Sequence, residues 1–390
     1  MPLTVQAPPL SLYIHIPWCV RKCPYCDFNS HAVDGVLPER LYIDALLADL
    51  EQETHELVAG RPLHSLFIGG GTPSLFSVEG IEALLTGVSR RIASSGNMEI
   101  TLEANPATVE AAKFAELRAI GVNRLSIGVQ SFDDVSLVAL GRAHDGREAI
   151  RAVEAAHTAG FHSFNLDLMF GLPGQTPESA RRDVETATAL EPVHISYYQL
   201  TLEPNTLFHR HPPLLPGDEE IWAIQRKSQE MLAQQGFLQY EISAYARQGF
   251  HSRHNLNYWK FGDYLGIGAG AHGKITEPQD QTVMRYWKLK HPRRYLACAC
   301  GADRIGGRNL IPADELPLEF MMNVLRLKQG CEKRLFIERT GLPLSALEPA
   351  YSDCVAEGLL KEHPTHIVCT HSGWNFLDEI LQRFIPARAV

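Results

Sequence analysis

Cys19, Cys23 and Cys26 stand within eight residues of a 390-residue chain, in the spacing Cys-x3-Cys-x2-Cys with Pro24 inside it. A loop of this kind can turn three thiolates toward one point. Thiolates suit zinc and iron–sulfur clusters alike. A structural zinc site takes four ligands, usually from two paired motifs. No second Cys-x2-Cys or His pair lies nearby, and His15, in the preceding apolar run, is the closest candidate for a fourth ligand. A [4Fe–4S] cluster held by three cysteines keeps one iron open for a ligand that is not protein. Plain core cysteines are the third possibility. The other five cysteines, Cys298, Cys300, Cys331, Cys354 and Cys369, are scattered. Cys298 and Cys300 are spaced to pair on a metal or heme, or are ordinary core and surface residues.

The cysteines follow the first of six short apolar, β-branched runs: Leu12–Ile16, Ser65–Ile68, Glu99–Glu103, Arg124–Val129, Ser163–Met169 and His194–Leu200. Helical periodicity between them predicts helices over Pro38–Leu57, Val78–Ala93, Val109–Ala119, Gly146–Ala159, Pro177–Ala189 and Asp218–Gln235. Ile43, Leu46, Leu47, Leu50 and Leu57 share one face of the first. Six βα units in succession predict a parallel sheet with right-handed crossovers. Polar residues cluster at or just after the strands' C-terminal ends: the cysteines, Gly69-Gly70-Gly71-Thr72, Glu103 and Gln130, with Asp167, Tyr197 and Gln199 inside the last two strands. A βα barrel builds its site on that rim. An open doubly wound sheet, with its ligand at a switch point, is the rival. The expected fold is α/β, a partial (β/α)6 barrel followed by a small, mainly helical C-terminal domain. The boundaries expected are 1–240 for the barrel, 241–310 for a looser region ending in a basic connection over 285–308, and 311–390 for the last domain.

Composition narrows the function. Hydrophobic residues are 45% and charged residues 21%, and the net charge is −9. That balance disfavours wrapping nucleic acid, which needs basic surface to neutralise phosphates. No apolar run approaches the ~18 residues of a membrane span. No charged n-region leading into an apolar h-region marks export. A cytoplasmic setting is expected, where thiols stay reduced.

Tyr13-Ile14-His15-Ile16-Pro17-Trp18-Cys19 through Cys26-Asp27-Phe28 resembles the signature of radical S-adenosylmethionine (SAM) proteins. More narrowly it resembles their coproporphyrinogen III dehydrogenase-like branch. The likeness continues through Phe67-Ile68-Gly69-Gly70-Gly71-Thr72-Pro73-Ser74, Gly128-Val129-Gln130-Ser131-Phe132 and Asp167-Leu168-Met169-Phe170-Gly171-Leu172-Pro173, and spans roughly residues 11–275. The resemblance implies that Cys19, Cys23 and Cys26 hold a [4Fe–4S] cluster whose open iron chelates SAM. It implies cofactor contacts at Tyr13, Tyr25, Gly70, Gly71, Thr72, Glu103, Gln130, Arg142 and Asp167. The chemistry suits those types: carboxylates accept from ribose hydroxyls or an ammonium, and a guanidinium pairs with a carboxylate.

Two subfamilies share these motifs: the oxygen-independent coproporphyrinogen III oxidases, and HemW-type heme chaperones that hand heme to acceptor proteins. The oxidase pattern continues Cys-x2-Cys-x-Cys, whereas position 28 is Phe28, and only 18 residues precede Cys19. His254-Asn255-Leu256-Asn257-Tyr258-Trp259 resembles the HNxxYW motif of the chaperones. An exposed His254 would ligate heme iron while Tyr258 and Trp259 face the porphyrin. His251 is a second candidate ligand, and Gly262–Gly268 would let the ring approach the backbone. Arg285, Lys288, Lys290, Arg293, Arg294, Arg304 and Arg308 fall within 24 positions. They read as a solvated linker face, or as a patch for heme propionates or an anionic membrane partner, in which case neutralising Arg293 and Arg294 weakens heme capture. The function expected is a heme chaperone carrying a [4Fe–4S] cluster, SAM and heme, serving respiratory acceptor proteins, at the membrane or away from it. The alternative is a coproporphyrinogen III oxidase, and a SAM-cleaving enzyme with another substrate is a third.

Overall fold

The computed structural model describes residues 5–58, 60–107, 111–298 and 301–386. The six expected strands are present as β1 Leu10–Ile16, β2 Leu63–Gly70, β3 Ser94–Ala104, β4 Arg124–Gln130, β5 Phe164–Phe170 and β6 His194–Gln199. Each pairs in parallel with its sequence neighbour, in the order β1-β2-β3-β4-β5-β6. The order never reverses, so there is no switch point of the doubly wound kind. Helices α1 Glu39–Leu57, α2 Val78–Arg91, α3 Phe114–Ala119, α4 Gly146–Thr158 and α5 Pro177–Ala189 make the crossovers, and α6 Asp218–Gln234 follows β6. Local chemistry starts several of them. Asp145 and Glu148 form a capping box at α4, as Thr176 and Ser179 do at α5, where Pro177 fills the first helical position. Val109 of the third expected helix lies outside the described residues.

The strands are apolar because both faces are covered. Leu12, Ile14, Leu66, Ile68, Leu102, Leu125, Ile127, Leu166, Leu168 and Ile195 are wholly buried in one continuous core. Beyond β6 the sheet turns antiparallel through Ala244–Ala246 and Leu238–Gln239. Those two edge strands do not pair with the far side of the sheet, so the barrel stays partial.

Residues 263–310 differ from expectation. Asp263–Ile267 adds a seventh parallel strand, on the outer side of β1. His272–Glu277, Thr282–Lys288 and Ile305–Leu310 extend the sheet from it as antiparallel strands. The basic stretch is therefore folded sheet rather than a connection. Lys288 and Arg304 are wholly buried. Lys288 Nζ lies 2.6 Å from Asp49 and 2.5 Å from Glu53, and Arg304 lies 2.7 and 3.0 Å from the same two carboxylates, which α1 supplies. Lys274 is buried on Asp263 at 3.0 Å. Arg285 and Arg308 pair with Glu319 and Glu56. Among the described residues only Lys290, Arg293 and Arg294 remain as exposed cations of that stretch without an ion pair.

Residues 311–386 pack around a second core of Phe320, Met321, Phe336, Cys354, Ile367 and Ile380, which Phe261 and Val283 join to the sheet. Cys331, Cys354 and Cys369 are apolar members of it. Cys298 ends a short helix, and Cys300 lies outside the described residues.

Candidate functional site

The cysteine loop leaves β1 at Pro17 and is closed by a short parallel pairing of Trp18–Cys19 with His31–Ala32. Lys22 straps it by donating to the carbonyls of Phe28 (3.0 Å) and Ser30 (3.3 Å), and Phe208 N–H donates to Pro24 O (3.0 Å). The turn after β2 is pressed against this loop. Gly71 N–H donates to Ile16 O and Thr72 N–H to Trp18 O, both at 2.7 Å. A Cβ at Gly71 would stand 2.5 Å from Trp18 O, and Gly70, at φ +116°, would put one 2.5 Å from the His15 ring. Glycine is needed here because two chain segments touch.

Cys19, Cys23 and Cys26 border one cavity of about 770 Å³ at the C-terminal rim of the strands. Tyr25, Gly70, Gly71, Thr72, Glu103, Gln130, Arg142 and Asp167 share its wall. Burial raises the Cys19 and Cys26 thiols above their ordinary range. A bound metal would be needed to keep them as thiolates at neutral pH. Glu103 accepts from Gly70 N–H at 2.9 Å, and burial pushes its carboxyl up to about 8, with Asp167 adding to the effect. Asp167 is also raised by burial, against hydrogen bonds from Asn165 (2.8 Å) and Ser126 (3.1 Å). Arg142 donates to Asn105 (2.8 Å) and Gly128 O (2.7 Å), stands 3.7 Å from Cys23 Sγ, and keeps Nε buried without a partner. Gln130 follows a break in the β4–β5 register, sits at φ +69°, and accepts from Tyr198 at 2.7 Å. Such a left-handed side-chain-bearing residue is costly and concentrates at functional sites.

A second cavity of about 620 Å³ lies behind Gly70 and Glu103, which border both. Tyr13 lines this one and not the cysteine cavity, contrary to expectation. His15 accompanies it and is fully engaged, with Nδ1 2.9 Å from Tyr13 Oη and Nε2 2.9 Å from Asn29 O. It is therefore no fourth ligand to the cysteines. The HNxxYW stretch forms the helix Arg253–Trp259, started by Ser252 and held by Glu99, which accepts from the His254 N–H at 2.9 Å. His254 is buried rather than exposed. Its Nδ1 meets Ser65 Oγ at 3.0 Å and its Nε2 meets Tyr258 Oη at 2.7 Å. Burial holds it neutral, down to about 3. Trp259 borders neither cavity and lies under the Arg326 guanidinium, 4.3 Å from its ring. His251 packs on Tyr240, also away from both cavities. The sequence reading did not single out Asn105, Ser126 and Tyr198 on the cysteine side, nor Phe67, Tyr264 and His272 on the other. Tyr264 lies within the glycine-rich stretch and His272 just after it, which was the available signal.

Residues 13–187 match the radical SAM superfamily and residues 311–376 the HemN C-terminal domain. Heme chaperone HemW of Haemophilus influenzae is 48% identical over 97% of this chain and 99% of its own length. Heme chaperone HemW of Escherichia coli is 47% identical over 98% and 99%. The chain belongs to the HemW family of radical SAM proteins. The likeness reaches Bacillus subtilis HemW at 36% identity over 96% of this chain. The solved structure of coproporphyrinogen III oxidase (HemN) from Escherichia coli, described as a radical SAM enzyme, superposes with a TM-score of 0.82. It covers 97% of this chain and 90% of that one at 23% identity, so it supports the HemW-family fold and not a shared activity.

Proposed function

We propose that this chain is a heme chaperone, which binds heme and passes it to acceptor proteins while carrying a [4Fe–4S] cluster and SAM. The observation that carries this reading is the full-length match, at 47–48% identity, to relatives named heme chaperones. The residues of the cysteine cavity suit the cluster. Among the described residues no three His, Cys, Asp or Glu side chains gather tightly enough to hold a single ion. Three thiols on one cavity are the donors a three-cysteine cluster site takes. The free Nε of Arg142, the raised carboxyls of Glu103 and Asp167, and the Gly70–Gly71 cradle give SAM a cation, two acceptors and close backbone.

Once bound, the cluster and SAM supply one-electron chemistry at a sulfonium. The chain's own part is positional. Lys22 fixes the loop bearing the thiols, and the Arg142 guanidinium stands 3.7 Å from Cys23 Sγ. Glu103 gives up its proton when a cationic group settles beside it. Among the described residues no helix is long and apolar enough to cross a membrane.

The test uses anaerobically reconstituted full chain. Hemin titration should give a saturable Soret band, and the loaded chain should pass heme to an apo-hemoprotein. Supplied with coproporphyrinogen III, SAM and a reductant, it should release no protoporphyrinogen. Turnover in that assay overturns the reading.

A further inference from the structure

The second cavity has a chemistry of its own. Tyr13 and Phe67 stack with ring centroids 6.2 Å apart and planes 30° apart. Phe67 meets His254 at 5.1 Å, His254 meets Tyr258 at 4.7 Å, and Tyr258 meets Tyr264 at 4.4 Å. The result is one unbroken aromatic wall. At about 620 Å³ the space lies within the ~300–1,000 Å³ of sites that enclose ligands of drug size and larger.

Four histidines line it, and they are not equivalent. His15 and His254 have both ring nitrogens engaged within the protein. Neither can bind iron without breaking a buried hydrogen bond. His31 is half-buried and keeps Nε2 without a partner. His272 is exposed, opens the strand His272–Glu277 at the rim, and has no hydrogen-bond partner for its ring nitrogens among the described residues. The Trp287 ring stacks beside it, 6.3 Å away and 28° from parallel. Lys290, exposed and without an ion pair among the described residues, borders the same cavity. Asp27 is the exposed carboxylate on that border, and Glu103 lies at its inner end.

We propose that iron porphyrin binds in this second cavity with His272, and not the HNxxYW histidine His254, as an axial ligand. The ring lies along Tyr13, Phe67, Tyr258 and Tyr264, and a propionate reaches Lys290. An aromatic wall, a free neutral imidazole and an unpaired cation at one opening match the three parts of heme. Arg293 and Arg294, on the adjoining helix Pro292–Cys298, do not border the cavity, so they are bystanders to capture. The assignment rests on the heme-chaperone reading and adds the place and the ligand.

The experiment titrates full-length wild type, His272→Ala and His254→Gln with ferric hemin and, separately, with metal-free protoporphyrin IX. Affinity and the axial-ligand signature in optical and EPR spectra are recorded. His272→Ala should weaken hemin at least tenfold, leave protoporphyrin affinity within twofold, and regain the wild-type spectrum when free imidazole is added. His254→Gln should keep the wild-type axial signature even where its affinity falls. Unchanged hemin affinity and spectrum in His272→Ala overturn the assignment. So does an equal loss of hemin and protoporphyrin, which makes His272 wall and not ligand. Failure of the wild type to bind hemin strikes the chaperone reading itself.

Discussion

The two cavities share Gly70, Glu103 and the loop residues Asp27, Phe28 and Ser30, yet the rest of their walls differ in chemistry. One is edged by thiols, carboxyls and a guanidinium at the strand ends, the other by four aromatic rings and imidazoles. The first is built from strand termini and the loops that follow them, where a βα barrel collects polar groups. The second lies over β1 and β2 and is walled in part by the helix Arg253–Trp259 and by Tyr264 of the strand that the chain adds after the barrel. A single parallel sheet thus gives one reactive rim, and the segments added after it help to wall a second chamber of different chemistry.

The difference can be broken at one side at a time. The largest effect is expected at the cysteines. Cys23→Ala should abolish cluster assembly, read as loss of iron and sulfide after anaerobic reconstitution, while hemin still binds the other chamber. Next comes the support beneath the appended strands. Arg304→Met removes one of two cations facing Asp49 and Glu53, and an uncompensated buried charge of that kind costs about 3–5 kcal/mol. Urea unfolding should show that loss, and a loss below 1 kcal/mol would mean that Lys288 alone satisfies both carboxylates. Tyr258→Phe takes the partner from His254 Nε2 and should cost about 1–3 kcal/mol in the same measurement.

The effects read in pH differ in sign between the imidazoles and the shared carboxyl. Folded His15 titrates down at about 4 and His254 at about 3, against about 6.5 unfolded. Between those values the unfolded chain holds more protons, so stability falls as pH drops below about 6.5, by up to about 1.4 kcal/mol per unit per ring. His254→Gln should lessen that slope. Glu103 acts the other way. Its folded carboxyl stays protonated up to about 8, so the ligand-free chain loses stability as pH rises from about 4.5 to 8, and Glu103→Gln should remove that component. Equal slopes in wild type and both variants, from urea midpoints across pH 5–8, would contradict the burial on which both shifts rest.

The legibility of the sequence follows the same division. Strands such as Ser65–Ile68 and Ser163–Met169 could be read because burial on both faces leaves a nearly continuous apolar run. The cysteine rim could be read because its residues follow those runs directly. The appended strands were hidden by charge. Lys288 and Arg304 read as solvated, but their partners Asp49 and Glu53 are brought in by folding from more than 200 positions away. His254 was misjudged as exposed for a related reason. Nothing in HNxxYW announces that Ser65 and Glu99, from two other strands, close over it. Tyr13 was assigned to the cysteine side through the motif it opens, yet it points with His15 toward the other chamber, as alternate residues of a strand must share a face.

The partition itself has a thermodynamic consequence. Glu103 belongs to both chambers and is held by the Gly70 amide, whose own backbone can accept no side chain without displacing His15. A molecule on the thiol side that draws the proton off this carboxyl changes the charge behind the aromatic wall. By linkage, an occupant of that wall must alter the first molecule's affinity by the same factor. Loading one compartment therefore reports on the other through a carboxyl that both contain.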